Sequence, residues 1–400
     1  GTTFELWGTV NPPNVTATYV IFGSPAPSPS TPAPTTTTGT PSNGVAWPAT
    51  FQPYAGSPIW STMVHANPSY DANSAAIVAA WFPGAGNGYP VRNQEPGPYD
   101  YTHPIYFAQS SDPTVQSVCS GGGCTTSGAN AYATSMQIPA VARAAESTSY
   151  GAGDSHIGVV QPNGTENDLY CWNTTSTPTC DQPSAGVWSN WSNGSTFRLG
   201  SGADRCGNFY TGTGQMPSTS VGNTTAGAAC EGAGLLSPQQ LIAGHINHAL
   251  FLIADCVSGK EYPVQTYTSI STCGGNAPKL GARLWYDVPD ATTNASTSLH
   301  PWEKAILNAL HDYGGYVMDT HGGPIGMGMQ FVPESEEPAY RFGKGDQWSG
   351  LAAQGWTSSM ISGAPAGYPR RTGANPWQPI GVNLNAHLHV LNVCITQQTC

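Results

Sequence analysis

Residues His156-Ile157-Gly158-Val159-Val160-Gln161-Pro162-Asn163-Gly164-Thr165-Glu166-Asn167-Asp168-Leu169-Tyr170-Cys171-Trp172 hold the pattern on which the fold reading rests. Two short runs, His156 to Gln161 and Asp168 to Trp172, stand on either side of the turn formers Pro162-Asn163-Gly164. Proline fixes φ and Asn and Gly tolerate left-handed backbone, while β-branched and aromatic residues fit a pleated surface, so the stretch reads as two strands around a turn. The same alternation returns at Ile105 to Gln109, Gly186 to Trp191, Arg283 to Tyr286, Val317 to Thr320 and His387 to Val393. The body from Val45 to Cys400 is therefore predicted to be mainly β, a β-sandwich of jelly-roll type.

Two short helices interrupt this pattern. Ser237, Pro238 and Gln240 read as a capped helix start, and the helix is expected to run from Gln239 through Leu250. A second helix is expected from Pro301, with Trp302, Ile306, Leu307 and Leu310 at helical spacing, to an end before Gly314-Gly315.

Ahead of the body stand two further pieces. Residues 1–23 hold two alternating runs, Thr2 to Trp7 and Val15 to Phe22, around Asn11-Pro12-Pro13-Asn14, and read as an N-terminal β segment. Residues 24–44 alternate Pro with Ser and Thr and read as an extended linker able to span roughly 60 Å. A strand-forming segment on such a tether either folds back on its own body or adds to the sheet edge of another copy. Gly1 reads as the start of a mature chain after removal of a secretion signal.

Only 9% of the 400 residues are charged, against about 25% in ordinary domains. The apolar fraction is 39%, so Ser, Thr, Asn, Gln, Gly and Pro take the place of charge. A formal net charge of −11, with no basic cluster larger than Arg370-Arg371, excludes a nucleic-acid partner, which needs a basic stripe to displace phosphate counterions. No apolar stretch is long enough for a membrane span. The ten cysteines fall as neighbours: Cys119 and Cys124, Cys171 and Cys180, Cys206 and Cys230, Cys256 and Cys273, Cys394 and Cys400. With no C-x-x-C pair, disulfides are expected over zinc, which places the protein outside the cytosol as a secreted one. Seven Asn-x-Ser/Thr sequons, at Asn14, Asn163, Asn173, Asn190, Asn193, Asn223 and Asn294, add candidate glycans.

Four segments carry an ordered set of polar residues: Asp154-Ser155-His156 with Gln161 and Tyr170, Gly244 to Leu250, Gly281 to Leu284, and Tyr313 to Asp319. In this order they resemble a poorly characterised family of secreted, β-rich proteins of soil actinobacteria and acidobacteria. The likeness spans roughly Tyr101 to Phe331. It implies a secreted β-sandwich with a connection to polysaccharides, and names no reaction.

Read for their own chemistry, His245 and His248 sit three apart on the expected helix and either share a metal or a base role or are half-buried and bonded to backbone. Asp154 and His156 alternate on a strand and point to one face. Asp319 precedes the turn at Gly322-Gly323, and His387 and His389 share a strand face. Arg205 and Arg283 are candidates to neutralise a uronate. Glycoside hydrolysis needs two carboxyls roughly 5 to 9.5 Å apart, and Asp154, Glu166, Asp168, Asp287, Glu303 and Asp319 are the acids outside turns. Asp154, His156, His248 and Asp319 are the expected catalytic group, with His245, Arg205 and Arg283 on the substrate. No cofactor is required, and a divalent metal is left open. No nucleophile elbow, Walker loop or dinucleotide fingerprint occurs. The expected function is a glycan-directed protein, a polysaccharide hydrolase or lyase. The alternatives are a structural subunit of a glycosylated filament built by strand addition, and a carbohydrate-binding or adhesive surface protein without turnover.

Overall fold

A computed structural model of the chain describes residues 5–11, 14–21, 50–82, 92–93, 103–119, 135–140, 142, 156–170, 196–199, 202–214, 224–264, 272–320, 329–331, 351, 354 and 384–400. It divides into two compact units, Gly1–Gly39 and Thr40–Cys400. The first unit holds an antiparallel pair, β1 (Glu5–Asn11) and β2 (Asn14–Ile21), in which Asn11 stands opposite Asn14. Strand β2 overlaps the expected Val15 to Phe22 run, whereas β1 shares only Glu5 to Trp7 with the expected Thr2 to Trp7 run and continues to Asn11.

In the second unit the chain forms helices α1 (Pro58–Ser61) and α2 (Ser74–Trp81), then strands β3 (Arg92–Asn93), β4 (Ile105–Phe107), β5 (Thr114–Cys119) and β6 (Ser135–Gln137). Next come β7 (Ile157–Val160), β8 (Thr165–Tyr170), β9 (Thr196–Leu199) and β10 (Gly202–Asn208). They are followed by α3 (Pro238–Ala243), β11 (Leu250–Ala254), β12 (Arg283–Tyr286), α4 (Asp290–Ala295), α5 (Pro301–Asp312) and β13 (Gly315–Thr320). The chain closes with β14 (Gln330–Phe331), β15 (Leu388–Val390) and α6 (Val393–Gln397).

Three sheets result, ordered β10-β8-β7-β4, β15-β12-β13-β11-β14-β3 and β6-β5-β9. Strand exceeds helix, so the body is mainly β among the described residues. The sheets are mixed: β4 with β7, β5 with β9, β11 with β13, and β14 with β3 run parallel. Among the described residues, no helix is long and apolar enough to cross a membrane.

Strand β11 is the centre of the largest sheet, and its five residues, Leu-Phe-Leu-Ile-Ala, are all buried. A run apolar on both faces is what a strand covered from both sides requires. Helix α5 packs against β12 through the stripe read from the sequence, with Trp302, Ile306, Leu307 and Leu310 buried. Pro301 opens this helix, and Glu303 Oε2 accepts from the His300 backbone N at 2.7 Å. Ile105, Phe107 and Val160 from the four-stranded sheet share one core with Phe251, Val317 and Phe331 from the six-stranded one.

A wholly buried segment, residues 224–236, ties these two sheets together. At one end Gly227 N donates to Met318 O of β13. At the other, Cys230 is bonded to Cys206 of β10, and Phe251 N of β11 donates to Gly234 O.

Several local expectations change. The first helix stops at Ala243 because Gly244 takes φ +72°, so His245 and His248 lie beyond it and Leu250 starts a strand. Ser237 Oγ donates to Gln239 Oε1 instead of capping backbone. Strand β7 starts at Ile157, β8 starts three residues before the expected Asp168, and β15 ends at Val390 because Asn392 caps α6 through Cys394 N. Disulfides Cys206–Cys230, Cys256–Cys273 and Cys394–Cys400 are formed as expected. The pairings of Cys119 with Cys124 and Cys171 with Cys180 lie outside the described residues, as does the strand Gly186 to Trp191.

Candidate functional site

On β8, Glu166 and Asp168 are two apart and so project to one face, and both are fully buried. Space for them comes from glycine. A methyl group on Gly158, which stands opposite Asp168, would lie 3.1 Å from Glu166 Oε1, 3.2 Å from Asp168 Oδ1 and 2.5 Å from Ile105 Cδ1. One on Gly232 would meet both Glu166 oxygens at 3.0 and 3.1 Å.

The carboxyls are held from three sides. Gly232 N donates to Glu166 Oε1 at 2.9 Å, Glu231 N donates to Asp168 Oδ2 at 3.0 Å, and the Tyr54 hydroxyl donates to Glu166 Oε2. Cys206 Sγ lies 2.9 Å from Asp168 Oδ2, a packed contact because a disulfide sulfur has no proton to give. The same disulfide closes the Asp168, Cys206 and Cys230 cluster to a metal.

Burial, followed by the neighbouring Glu166 and Glu231, pushes Asp168 well above the usual carboxylate range. Burial also lifts Glu166 to about 7, although bonds from Asp168, Tyr54 and Gly232 pull it down. Burial raises each carboxyl's cost of ionising, so the pair favours a protonated state. Burial, with Glu166 and Asp168 beside it, keeps Tyr54 a neutral phenol.

Two imidazoles complete the centre. His156 Nδ1 lies 2.8 Å from Glu231 Oε1, His103 Nδ1 lies 2.9 Å from Glu231 O, and the ring centroids are 4.6 Å apart. Burial, followed by the charge of His156, drives the His103 pKa well below its usual value, so this ring is neutral. Every member of the centre is enclosed, so it offers no carboxyl pair to a sugar.

The other sequence-predicted residues are dispersed. His248 is buried, its ring nitrogens 2.9 Å from Ala249 O and 3.2 Å from Gln240 Oε1, and burial pushes its pKa to about 4. Its ring is engaged by backbone and by Gln240 in the interior. Asp319 Oδ1 accepts from Ala226 N at 3.1 Å and Thr320 N at 2.7 Å, which anchors the 224–236 segment to β13. Arg283 is 2% exposed, donates to the Tyr313 and Thr62 carbonyls at 2.6 to 2.9 Å and packs on the Tyr316 ring, so it cannot reach a uronate. Arg205 pairs in register with Asn167, and its side chain lies outside the described residues, as does Asp154. His245 is exposed, near Asp290 and Asp312. Asn163 and Asn294 are exposed sequon positions.

The group that does meet, Glu166, Asp168, Glu231, His103, His156 and Tyr54, shares only His156 with the expected catalytic set. The Glu-x-Asp spacing on a strand, which puts both side chains on one face, is the signal for the first two. Glu231, His103 and Tyr54 carried no comparable signal, since only the Cys206–Cys230 bond and the tertiary fold bring them in.

Two accessible features remain. At the β12 end, His387 Nδ1 and His389 Nε2 approach Asp287 Oδ1 and Oδ2 at 2.8 and 2.9 Å, and Tyr70 stacks on His389 with centroids 4.1 Å apart. Between β6 and the β7–β8 turn lies a cleft of about 400 Å³, lined by Ser110, Ser135, Gln137, Gln161, Asn163 and Thr165. Gln161 builds it: its Oε1 accepts from Gln137 N and its Nε2 donates to Gln137 O, both at 3.0 Å, so a side-chain amide stands in for a strand. Asn167 also lines the cleft, 2% exposed, and its Oδ1 is without a hydrogen-bond partner among the described residues. Among the described residues, no charged side chain lines it.

No known protein family, no curated protein and no solved structure matches this chain.

Proposed function

We propose that this is a secreted, glycan-directed protein that binds a neutral sugar chain in the cleft between β6 and the β7–β8 turn, without turnover. The observation that carries the reading is the chemistry of that cleft. Among the described residues its polar lining is amides and hydroxyls, which donate and accept as sugar hydroxyls do, and the buried Asn167 Oδ1 has no hydrogen-bond partner there. Three disulfides support an oxidising, extracellular setting. A hydrolase or lyase has less support, because among the described residues no carboxyl lines the cleft, and the carboxyl pair of β8 is enclosed. The common core of the four- and six-stranded sheets supports a sandwich-like body.

The test is binding of a panel of neutral and acidic polysaccharides, with assays for reducing ends and unsaturated uronates run in parallel. We expect saturable binding of a neutral glycan, no new chain ends, and at least a tenfold loss of affinity in Asn167→Leu at an unchanged melting temperature. Silence across the neutral panel would overturn the proposal, and release of chain ends would replace it with the hydrolase or lyase reading.

A second reading, a filament subunit, is favoured by the first unit. Among the described residues β1 and β2 form a sheet of two, and a two-stranded sheet is marginal in water by itself and can accept a further strand at an edge. Deleting residues 1–44 would then abolish assembly and leave the body folded. A full-length protein that stays monomeric by light scattering would count against it.

A further inference from the structure

A cluster unrelated to the cleft stands where α4 begins and α5 ends. Asp290 is the first residue of α4, His311 and Asp312 are the last two of α5, and one oxygen or ring nitrogen from each lies within 4.8 Å of the others. The imidazole is fixed in a defined state. His311 Nδ1 lies 2.8 Å from Tyr286 O, and a carbonyl only accepts, so Nδ1 is the donor there and Nε2 is the ring nitrogen turned away from that bond. That is the arrangement in which a metal-binding histidine is held by an outer hydrogen bond. Trp285 stacks on the ring with centroids 5.5 Å apart and donates from Nε1 to His311 O at 2.6 Å, which fixes it further.

The second observation lies on the other side of the cluster. Asp290 Oδ1 is shielded from solvent and has no hydrogen-bond partner among the described residues. A solvent-shielded carboxylate oxygen beside a second aspartate and an imidazole is a position that a bound cation would satisfy. His245 lies near enough for its charge to act on both aspartates.

We infer that Asp290, His311 and Asp312 form a divalent-metal site of mixed nitrogen and oxygen donors. One imidazole with two carboxylates suits zinc or manganese better than calcium or magnesium, which take oxygen alone. In a tetrahedral zinc site with bonds of about 2.0 to 2.2 Å the donors stand about 3.4 Å apart, so they close by at most about 1.4 Å on binding. The α4–α5 contact, held by Asn308 Nδ2 donating to Asn294 Oδ1 and Lys304 Nζ to Asn294 O, is the scaffold for that closure.

The experiment uses the full chain, stripped of metal by chelation and dialysis. It is titrated with Zn²⁺ by calorimetry and with Co²⁺ by visible absorption, in the presence of excess Mg²⁺. One equivalent is expected to bind, with a tetrahedral Co²⁺ band, and His311→Ala is expected to weaken binding at least tenfold. Asp290→Asn, which keeps the shape of the side chain, is the second variant and is expected to weaken it comparably. His387→Ala is the control, since it removes the other accessible imidazole pair. The absence of saturable binding, binding indifferent to both His311→Ala and Asp290→Asn, or loss of the band in His387→Ala alone would each overturn the inference.

Discussion

His156 and Glu231, 75 residues apart, meet at 2.8 Å with their side chains 3% and 0% exposed. This contact joins β7 to the 224–236 segment and sets a third carboxyl beside Glu166 and Asp168. Their proton affinity rises partly because Glu231 is there. The buried centre is therefore a set of groups whose charge states depend on one another, and this gives the fold a defined response to pH.

Glu166 is pushed up to about 7 and Asp168 well above its ordinary range, whereas burial pushes His248 down to about 4 and His103 well below its ordinary value. The folded carboxyls keep protons that the unfolded chain releases above its ordinary carboxylate pKa of 4.5 or 3.8. Their contribution is fully present below that range and fades as the pH rises towards 7. The imidazoles act in the opposite sense, because the unfolded chain takes up protons below 6.5 and the folded rings do not until about 4. At about 1.4 kcal/mol per pH unit, Glu166 and His248 each contribute on the order of 3 kcal/mol, with opposite signs. Few surface ion pairs add to this in a chain with 9% charged residues. The melting temperature should thus change little between pH 7 and pH 4. Glu166→Gln should tilt the profile downward on the acid side, and His248→Gln should tilt it upward there. A wild-type midpoint that drops steeply over this interval would contradict the balance.

Gly158 carries a second prediction. A Cβ there would meet the Ile105 methyl at 2.5 Å and press on both carboxyls, in a strand whose four residues are all buried. Gly158→Ala should cost about 1 to 3 kcal/mol through overpacking, more than the small gain alanine brings to a strand. Chemical denaturation decides it. A variant as stable as the parent would mean that the centre has room to spare.

What the sequence disclosed follows the range of the interactions involved. Helix α5 was legible because its signals are local: Pro301 at the start, the stripe from Trp302 to Leu310, and Gly314 at the end with φ +71°. Strand β12 was legible as Arg283-Leu284-Trp285-Tyr286, and the disulfides Cys206–Cys230, Cys256–Cys273 and Cys394–Cys400 from their spacing. The helix expected through His248 failed because Gly244, read as an interior residue, is a left-handed terminator. Sheet order was out of reach, since pairing β11 with β13 in parallel depends on contacts across 65 residues from Leu250 to Gly315. The site was only half legible for the same reason. Glu166 and Asp168 share a strand face and stood among the candidate acids. Glu231, His103 and Tyr54 join them through tertiary contacts that no local spacing records.

The Cys206–Cys230 bond lies against Asp168 and closes a loop with a sequence separation of 24 residues. Replacing both cysteines with serine should cost about 3 to 4 kcal/mol on loop-entropy grounds. The loss should be smaller at pH 7 than at pH 4, because the loosened 224–236 segment admits water to the carboxyls and lets them ionise, which removes the penalty that the intact fold carries at pH 7 for keeping their protons. Equal losses at both pH values, by thermal melts, would show that the bond acts on the unfolded chain alone.

Asp287 clasps the C-terminal strand. It takes hydrogen bonds from His387 and His389, on either side of Leu388, and Asp287 N donates to His387 O at 2.9 Å. Burial raises its carboxyl, yet the bonds from His389 and His387 outweigh this and hold it below the usual carboxylate range. Its contribution is therefore present above an ordinary aspartate pKa of 3.8 and is lost only as the pH falls through a still lower value, so the clasp persists in mild acid. Asp287→Ala should remove roughly 1 kcal/mol for each bond lost. Because β15 is an edge strand held by β12 on one side, the effect should appear first as faster amide exchange at Leu388 and Val390. Unchanged protection there, at pH 6 and 25 °C, would show that Tyr70 stacking and the bond from Val390 N to Ser74 Oγ hold the strand without the carboxylate.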